Sequence, residues 1–390
     1  MTKYFAKWYN SIREIPNEVL LGFDINIVNP FFKLEWLKLL ENSDSICFKT
    51  GWKPLHLVLW EADYPIGFAP LYLKSHSYGE FIFDHTFREV AYRLGLNYYP
   101  KLVGMSPLSP VEGYKFFTKK NLSTSKVTFL MLGIIDDFCR ENKILSTNFL
   151  YVDKSWGMVV EEFGFLKWIN EQSRWNANND KTFASYLSNF NSNQRKNIRK
   201  ERDSIYSKGI NVSALTGKNI NLSSIKYMHD FYSNHCSKYG MWSSKYLSES
   251  FFINLLDKEI KNNIVLFKAC LENNEKPLAM SMCLKNKDML WGRYWGSQED
   301  IEFLHFELCY YAPINWSLEN KIKYFDPGAG GAHKKRRGFI SIPSVSLVKW
   351  QNQNFHNIIK SWLLESNTVM LHKINETNAA LPFRVDITTE

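Results

Sequence analysis

Apolar residues along the chain alternate between short runs and amphipathic stretches, a pattern that predicts mixed α and β structure throughout. Residues 55–74 (LHLVLWEADYPIGFAPLYLK) and 264–285 (IVLFKACLENNEKPLAMSMCLK) each place a polar turn between two apolar strands, so both predict β-hairpins. An aromatic strand is predicted after each hairpin, GEFIFD at 79–84 and MLWGRYWG at 289–296. The repetition favours a duplicated domain, although two unrelated hairpins would give the same pattern.

A basic helix is predicted at 193–207, within the stretch SNFNSNQRKNIRKERDSIYSKGI. Ser192 or Asn193 can cap its first turn, and Gly209 can end it in a left-handed conformation. Helical spacing places five cations on one broad face. They are Arg195, Lys196, Arg199, Lys200 and Arg202. Such a face is either solvated or covered by an anion.

A second basic element is GAGGAHKKRRGF at 328–339, which follows a predicted aromatic strand at 323–326. Its glycines, among them Gly330 and Gly331, permit positive φ and expose backbone N–H groups that bind oxyanions. The side chains beside them are His333, Lys334, Lys335, Arg336 and Arg337. A phosphate or a developing oxyanion suits this site, and a flexible turn with solvated lysines is the alternative. The stretch matches neither a Walker loop nor a dinucleotide fingerprint.

Composition narrows the class of protein. A length of 390 residues suits two domains, and a hydrophobic fraction of 45% excludes a disordered chain. The net charge of +9 indicates an anionic partner without choosing among nucleic acid, nucleotide and phospholipid. No membrane-spanning run and no signal-peptide core are found, which predicts a cytoplasmic protein without membrane insertion. The six cysteines lack zinc spacing, so no metal site is expected.

Three stretches, taken in order, resemble a known family. They are residues 79–113, the helix SNQRKNIRKER and residues 291–339, and they resemble the predicted N-acyltransferases of the FemAB-like peptidoglycan biosynthesis/recognition family, in the GNAT superfamily. The resemblance implies an α/β (α+β) fold of two tandem GNAT-like domains, each a mixed, mostly antiparallel sheet flanked by helices. The expected boundaries are 1–165 and 166–345, with 346–390 packing back on the first domain.

The same resemblance implies an N-acyltransferase that moves an aminoacyl group from aminoacyl-tRNA to an amine and forms an amide, without a bound cofactor. tRNA would then be the donor carrier, and the amine acceptor the second substrate. An acyl-CoA donor is one alternative, although no strict pyrophosphate motif is present and the nearest, residues 293–297, is expected in a strand. A non-catalytic module that binds tRNA or muropeptide is the other. Gly330 and Ala332 stand where the family usually has glutamine and a carboxylate. If those polar groups orient the acceptor or take a proton, this member has a different acceptor or has lost activity.

Candidate site residues follow from matching the family's motifs. Gly-Glu-His-Lys-x-x-Arg-Gly-Phe falls on residues 331–339, and Arg-x-x-Ile-Arg on residues 195–199. Lys334 is the leading candidate for oxyanion donor or phosphate clamp, with His333 or Asp326 as base. His305 and Glu307 are further base candidates, and we expect Glu307 to form a buried pair with Arg293. The predicted substrate-binding residues are Arg195, Lys196, Arg199, Arg293, His305, Glu307, Gly330, Gly331, Arg337, Asp84, Tyr99 and Lys101.

Overall fold

The computed structural model describes residues 4–23, 29–238 and 245–384. The strands are β1 (Tyr4–Tyr9), β2 (Trp52–Pro54), β3 (His56–Glu61), β4 (Tyr64–Ala69), β5 (Tyr72–Lys74), β6 (Lys101–Gly104), β7 (Phe117–Thr118), β8 (Ser146–Phe149), β9 (Leu166–Asn176), β10 (Ile210–Thr216), β11 (Ile264–Leu271), β12 (Pro277–Lys285), β13 (Met289–Ser297), β14 (Tyr324–Asp326) and β15 (Ile340–Trp350). The helices are α1 (Asn17–Leu20), α2 (Leu34–Asn42), α3 (His85–Arg93), α4 (Thr124–Glu141), α5 (Lys154–Glu161), α6 (Phe183–Ser188), α7 (Ser192–Tyr206), α8 (Leu222–Ser237), α9 (Glu249–Asn254), α10 (Lys258–Lys261), α11 (Leu304–Phe306), α12 (Ala312–Glu319) and α13 (Gln353–Ala379). A π-helical turn, Glu307–Tyr311, joins α11 to α12, and a 3-10 turn, Ala332–Arg337, follows β14.

The chain divides into two compact units. Unit 1 comprises Met1–Glu171 and Pro343–Lys373, and unit 2 comprises Gln172–Ile342 and Ile374–Glu390. The chain therefore passes from unit 1 to unit 2 after Glu171, returns at Pro343, and enters unit 2 again after Lys373. The sequence-based boundaries were set at residues 165 and 345.

Unit 1 contains two groups of paired strands. One is a four-stranded antiparallel sheet in the order β1-β3-β4-β7. The other runs β15-β8-β6-β5-β2 and is antiparallel except for the parallel pair β6 and β8. A parallel pair needs a crossover connection, which α4 supplies here.

Unit 2 has a similar order of elements along the chain, but its strands form a single group. Its strands run β10-β11-β12-β13-β14-β9, again antiparallel except for one pair, β13 and β14. The chain between these two parallel strands contains α11, the π-helical turn and α12. Each unit thus has a hairpin, a further antiparallel strand, and a helical crossover to a parallel strand. The predicted pair of tandem GNAT-like units is confirmed.

Several local predictions can be compared with the structure. Both hairpins are present, as β3 with β4 and as β11 with β12, and β13 covers the predicted strand at 289–296. The strand predicted at 79–84 is wrong, because this segment is a loop in which Phe81 has φ 58°. The buried carboxylate of Glu80 anchors that loop to Lys101 at 2.7 Å. A side chain held this way takes precedence over the β propensity of the aromatic residues.

Helix α7 was predicted to within one residue at each end. Its cap is Asn191, whose side chain accepts from the backbone N–H of Gln194, rather than Ser192 or Asn193. Gly209 has φ +68°, the left-handed conformation expected after the helix. Ile198 and Ile205 are buried on its inner face and join the core of unit 2. No helix in the described ranges is long and apolar enough to cross a membrane.

Candidate functional site

The outer face of α7 carries an exposed group of cations. Lys196, Arg199 and Lys200 are exposed and make no ion pair or hydrogen bond within the described ranges. Arg195 is half-buried and donates to the carbonyl of Phe190 at 2.5 Å. These four residues, Arg195, Lys196, Arg199 and Lys200, are called the α7 cation face below. They line a shallow groove together with Ser192, Asp203, Ser204 and Ser207.

Arg202 does not belong to that face. Its guanidinium turns inward, donates twice to the carboxylate of Glu307 at 3.0 Å, and lies 4.1 Å from the ring centre of Phe183. The expected pair of Glu307 with Arg293 is therefore wrong. The two partners are 105 positions apart in sequence, so helical spacing could not reveal that the π-helical turn approaches α7 on this side.

Arg293 instead binds Asp326 across the parallel strands β13 and β14. Its Nη2 lies 2.7 Å from Oδ2 of Asp326, and the other oxygen, Oδ1, accepts from the backbone N–H of Gly328 at 2.7 Å. Both carboxylate oxygens thus have donors inside the protein. Asp326 therefore fixes the start of the glycine loop.

The glycine loop, residues 327–331, has the predicted backbone. Gly328, Gly330 and Gly331 have φ values of +84°, +65° and +88°. The ammonium of Lys334 lies beneath the loop and donates to the carbonyls of Gly328 at 2.7 Å and Ala329 at 3.1 Å. Burial lowers the pKa of Lys334 to about 8. The side chain is only 2% exposed, so it acts on the loop and does not face solvent.

Arg337 joins the basic turn Ala332–Arg337 to α7. It is buried, lies 2.6 Å from the carboxylate of Glu201 and donates to the carbonyl of His333 at 2.8 Å. Its guanidinium also stacks on the ring of Phe306 at 3.5 Å. A second link joins Gln194 of α7 to the carbonyl of Arg336 at 2.8 Å. The basic turn is thus fixed to α7 by two buried contacts, while Arg336 itself is exposed.

Two histidines lie beside this loop. The ring of His333 is 5.7 Å from that of His305, and its Nε2 lies 2.8 Å from the hydroxyl of Tyr310. Burial, with the charges of Arg337 and Lys334, lowers the pKa of His333. Burial also lowers the pKa of His305 to about 3, and no hydrogen-bond partner for it occurs in the described part of the chain. Both imidazoles are neutral at pH 7, whereas the carboxylates of Asp326 and Glu307 are already paired.

The predicted site residues of unit 1 form a separate cluster around Lys101. Its ammonium donates to Glu80 at 2.7 Å, Asp84 at 2.5 Å and Ser77 at 2.8 Å. Burial opposes the charge on Lys101, but the two carboxylates outweigh burial and raise its pKa. We call these four residues the Lys101 cluster. Asp84 and Lys101 are thus bound to each other and buried, while Tyr99 is half-exposed and lies 2.8 Å from the hydroxyl of Ser77.

Sequence reasoning missed two residues near these sites. Lys74 is fully buried, donates to the carbonyl of Tyr78 at 3.0 Å and lies 3.5 Å from the ring centre of Trp52. Burial lowers its pKa to about 7. Tyr310, the partner of His333, also went unnoticed. A lysine that ends an apolar strand was the available signal for Lys74, and Tyr310 offered none.

Several solved structures are similar to this chain over most of its length. The structure of FemX matches with a TM-score of 0.52 at 12% identity, over 92% of this chain and 100% of that one. A C-terminal domain (DUF2156) from Agrobacterium fabrum matches with a TM-score of 0.50 at 8% identity, over 91% and 98% of the two chains. L-PGS from Bacillus licheniformis matches at 0.49 and 9% identity, over 89% and 96%. At such identities the likeness concerns the fold.

A search of curated proteins finds no match for the chain. A family model described as FemAB-like, peptidoglycan biosynthesis/recognition, matches residues 11–385, nearly the whole length. The match includes the three stretches on which the predicted resemblance rested, residues 79–113, the basic helix and residues 291–339. This chain therefore belongs to the FemAB-like family.

Proposed function

We propose that the chain is a Fem-like N-acyltransferase that transfers an aminoacyl group from aminoacyl-tRNA to an amine and forms an amide. Family membership supports the transferase class. The α7 cation face supports the choice of tRNA as donor carrier. Three of its side chains, Lys196, Arg199 and Lys200, are exposed and have no partner in the ranges that the structure describes. Cations arranged in this way bind a phosphate backbone and release its counterions.

The chemistry such a site must supply is small. An aminoacyl ester is already activated, so the protein has to align a neutral amine with the carbonyl and stabilise the oxyanion that forms. Each well-placed oxyanion donor contributes about 100- to 1,000-fold in rate. The basic turn that contains His333 contacts α7, the helix that carries the cation face, through Arg337 with Glu201 and through Gln194. Donor binding and oxyanion stabilisation would thus occupy neighbouring parts of unit 2.

The experiment compares binding of charged tRNA, uncharged tRNA and acyl-CoA across a salt series. The test variant carries Lys196→Gln, Arg199→Gln and Lys200→Gln. A charge-matched control carries Lys218→Gln, Lys258→Gln and Lys276→Gln, which remove three exposed cations elsewhere in unit 2. We expect the native chain and the control to bind tRNA with a steep salt dependence. In the test variant the slope of log K against log salt should become shallower by about 2 to 3.

Other outcomes select the alternatives. Saturable acyl-CoA binding with little affinity for tRNA would replace the proposal by an acyl-CoA-dependent N-acyltransferase. Residues 293–297 lie in β13, as expected, and so do not form a helix N-terminus that could hold a pyrophosphate. Tight tRNA binding without transfer to any amine in an extract that contains acceptors would favour a binding module. Gly330 and Ala332, where the family usually has polar residues, are the feature in favour of that reading.

A further inference from the structure

The contact between Tyr310 and His333 determines which nitrogen of the imidazole carries the proton. The hydroxyl of Tyr310 lies 2.8 Å from Nε2 of His333, and that is the only hydrogen bond of this phenol among the described residues. Tyr310 is 4% exposed, and burial raises the pKa of its hydroxyl far above the ordinary value. The phenol is therefore protonated and needs an acceptor. Nε2 of His333 is the acceptor that the geometry provides.

A neutral imidazole has one donor nitrogen and one acceptor nitrogen. If Nε2 accepts the hydrogen bond that the hydroxyl of Tyr310 donates, the proton of the neutral imidazole must be on Nδ1. The reverse arrangement would leave the buried hydroxyl hydrogen without an acceptor, at the full cost of desolvation. His333 is kept neutral by burial and by Arg337 and Lys334, so the choice between these two tautomers is the relevant one.

The nitrogen that carries this proton is available to a ligand. Nδ1 of His333 has no partner in the described chain, yet it is not one of the buried unpaired atoms, so it reaches solvent. The Cε1–Nε2 edge of the ring lies close to Gly331, where an added Cβ would lie 2.8 Å from Cε1 and 3.1 Å from Nε2. Contact with Gly331 and the hydrogen bond with Tyr310 fix the ring orientation, and Arg337 holds the backbone carbonyl of His333.

We propose that His333 acts in this enzyme as a hydrogen-bond donor through Nδ1–H to the developing oxyanion, and that Tyr310 is the positioning residue that holds this tautomer. The inference rests on the proposed transferase function. The acceptor nitrogen forms the new C–N bond, and the carbonyl electron pair moves to oxygen, where Nδ1–H binds it. The carbonyl re-forms as the C–O bond to the tRNA ribose breaks. The proton lost by the nitrogen ends on the ribose oxygen.

This assignment reverses the role first considered for His333, that of general base. A base must present a lone pair to the substrate, whereas Nδ1–H presents a proton. The two roles therefore predict opposite outcomes when the side chain is replaced by isosteric groups. The amide nitrogen of asparagine can occupy the position of Nδ1 and donate without being basic. A carboxylate at the same position accepts protons but cannot donate.

The first experiment needs no substrate. Histidine in the full-length protein is labelled with nitrogen-15, and two-bond nitrogen–proton correlation spectra at pH 7.5 report which ring nitrogen is protonated. His333→Asn identifies the signals of His333 by their loss. We expect Nδ1 protonated and Nε2 unprotonated in the native chain. In Tyr310→Phe we expect a shift toward protonation of Nε2. A native His333 protonated on Nε2 would overturn the proposal.

The second experiment measures transfer from charged tRNA under single-turnover conditions. We expect His333→Asn to retain at least about 10-fold more activity than His333→Asp, and Tyr310→Phe to lose about 10-fold with tRNA affinity unchanged. Greater activity of His333→Asp, or a native acidic limb in the pH profile that vanishes in His333→Asn, would establish a base and overturn the donor role. If the native chain transfers nothing, the proposed function fails and the catalytic role fails with it. The spectra would still decide the tautomer.

Discussion

The two units share one strand plan but use their buried charges differently. In unit 1 the Lys101 cluster gives the ammonium two carboxylates and a hydroxyl within 2.8 Å. In unit 2 the ammonium of Lys334 donates to the carbonyls of Gly328 and Ala329, and to no carboxylate among the described residues. Three buried or partly buried carboxylates of unit 2 bind arginines instead, Glu201 with Arg337, Glu307 with Arg202 and Asp326 with Arg293.

The two units therefore differ in which charged side chains have no ion-pair partner among the described residues. The charges of the Lys101 cluster bind one another and hold the loop at 79–84 in place. In unit 2, once each buried carboxylate has its arginine, the α7 cation face still has no carboxylate partner in the described ranges. His333 likewise keeps one free nitrogen. A duplicated fold can thus use buried ion pairs for stability in one copy and leave cations available for an anionic ligand in the other.

The largest expected effect is on the Lys101 cluster. Lys101→Met leaves the carboxylates of Glu80 and Asp84 buried without a cation, and we expect the free energy of unfolding to fall by about 3 to 5 kcal/mol. Lys53→Met, at an exposed position of unit 1, should change it by no more than about 0.5 kcal/mol. Denaturant unfolding of both variants measures the difference. Equal losses would show that the cluster does not stabilise unit 1.

Variants of Arg202 and Arg199 test whether the first arginine of α7 stabilises the fold and the second binds tRNA. Arg202→Met removes the cation that binds the buried carboxylate of Glu307, so we expect the free energy of unfolding to fall by about 3 kcal/mol. The tRNA affinity of the folded protein should change little. Arg199→Met should leave stability within about 0.5 kcal/mol and make the salt slope of tRNA binding shallower by about 1. Parallel unfolding and binding titrations measure both. The distinction between the two arginines is lost if both variants show the same profile.

Gly331→Ala and Gly330→Ala form a matched pair in the glycine loop. Both residues have positive φ, so alanine is strained at either position. Only at Gly331 does the new Cβ collide with the ring of His333, whereas nothing lies within 4 Å at Gly330. We expect Gly331→Ala to transfer about 10-fold more slowly than Gly330→Ala. Equal rates would mean that the ring position is not critical.

The last effect is the pH dependence that Lys74 gives to the stability of unit 1. Its pKa falls from 10.5 to about 7 on folding, because burial disfavours the charged form. Between these values the unfolded chain binds a proton that the folded chain does not, so the unfolding free energy rises with pH. Below pH 7 the folded and unfolded chains both carry the charge on Lys74, so the full cost of burying that charge lowers the unfolding free energy. Lys74→Met should therefore flatten this rise by up to about 1.4 kcal/mol per pH unit.

Lys53→Met provides the control for that measurement, since its side chain is exposed. Unfolding curves at intervals from pH 7 to 10 are compared for the native chain and the two variants. Lys334 in unit 2 has a pKa of about 8 and should keep part of the rise in Lys74→Met. An unchanged slope in Lys74→Met would mean that Lys74 remains charged in the folded protein.

The sequence was sufficient wherever the relevant contacts are local. The bounds of α7, both hairpins, the strand at 289–296 and the positive φ of the loop glycines depend on neighbours a few positions away, and all were predicted. The strand predicted at 79–84 was wrong because the contact that fixes this segment is not local. The conformation of Glu80 depends on Lys101, 21 positions further along the chain, which no local pattern contains.

The sequence by itself thus determined the family, the repeated hairpins, the basic helix and the glycine loop. Only the tertiary structure decided which polar side chains are partners. Arg202 binds Glu307 and is not part of the cationic face on which it was predicted. Arg293 binds Asp326, and the hydroxyl of Tyr310 contacts His333. Helical and strand periodicity relate positions a few residues apart, so they specify the face of the element on which a side chain lies. The partner of a buried charge is set by which elements pack together, and distant stretches of the chain supply those elements.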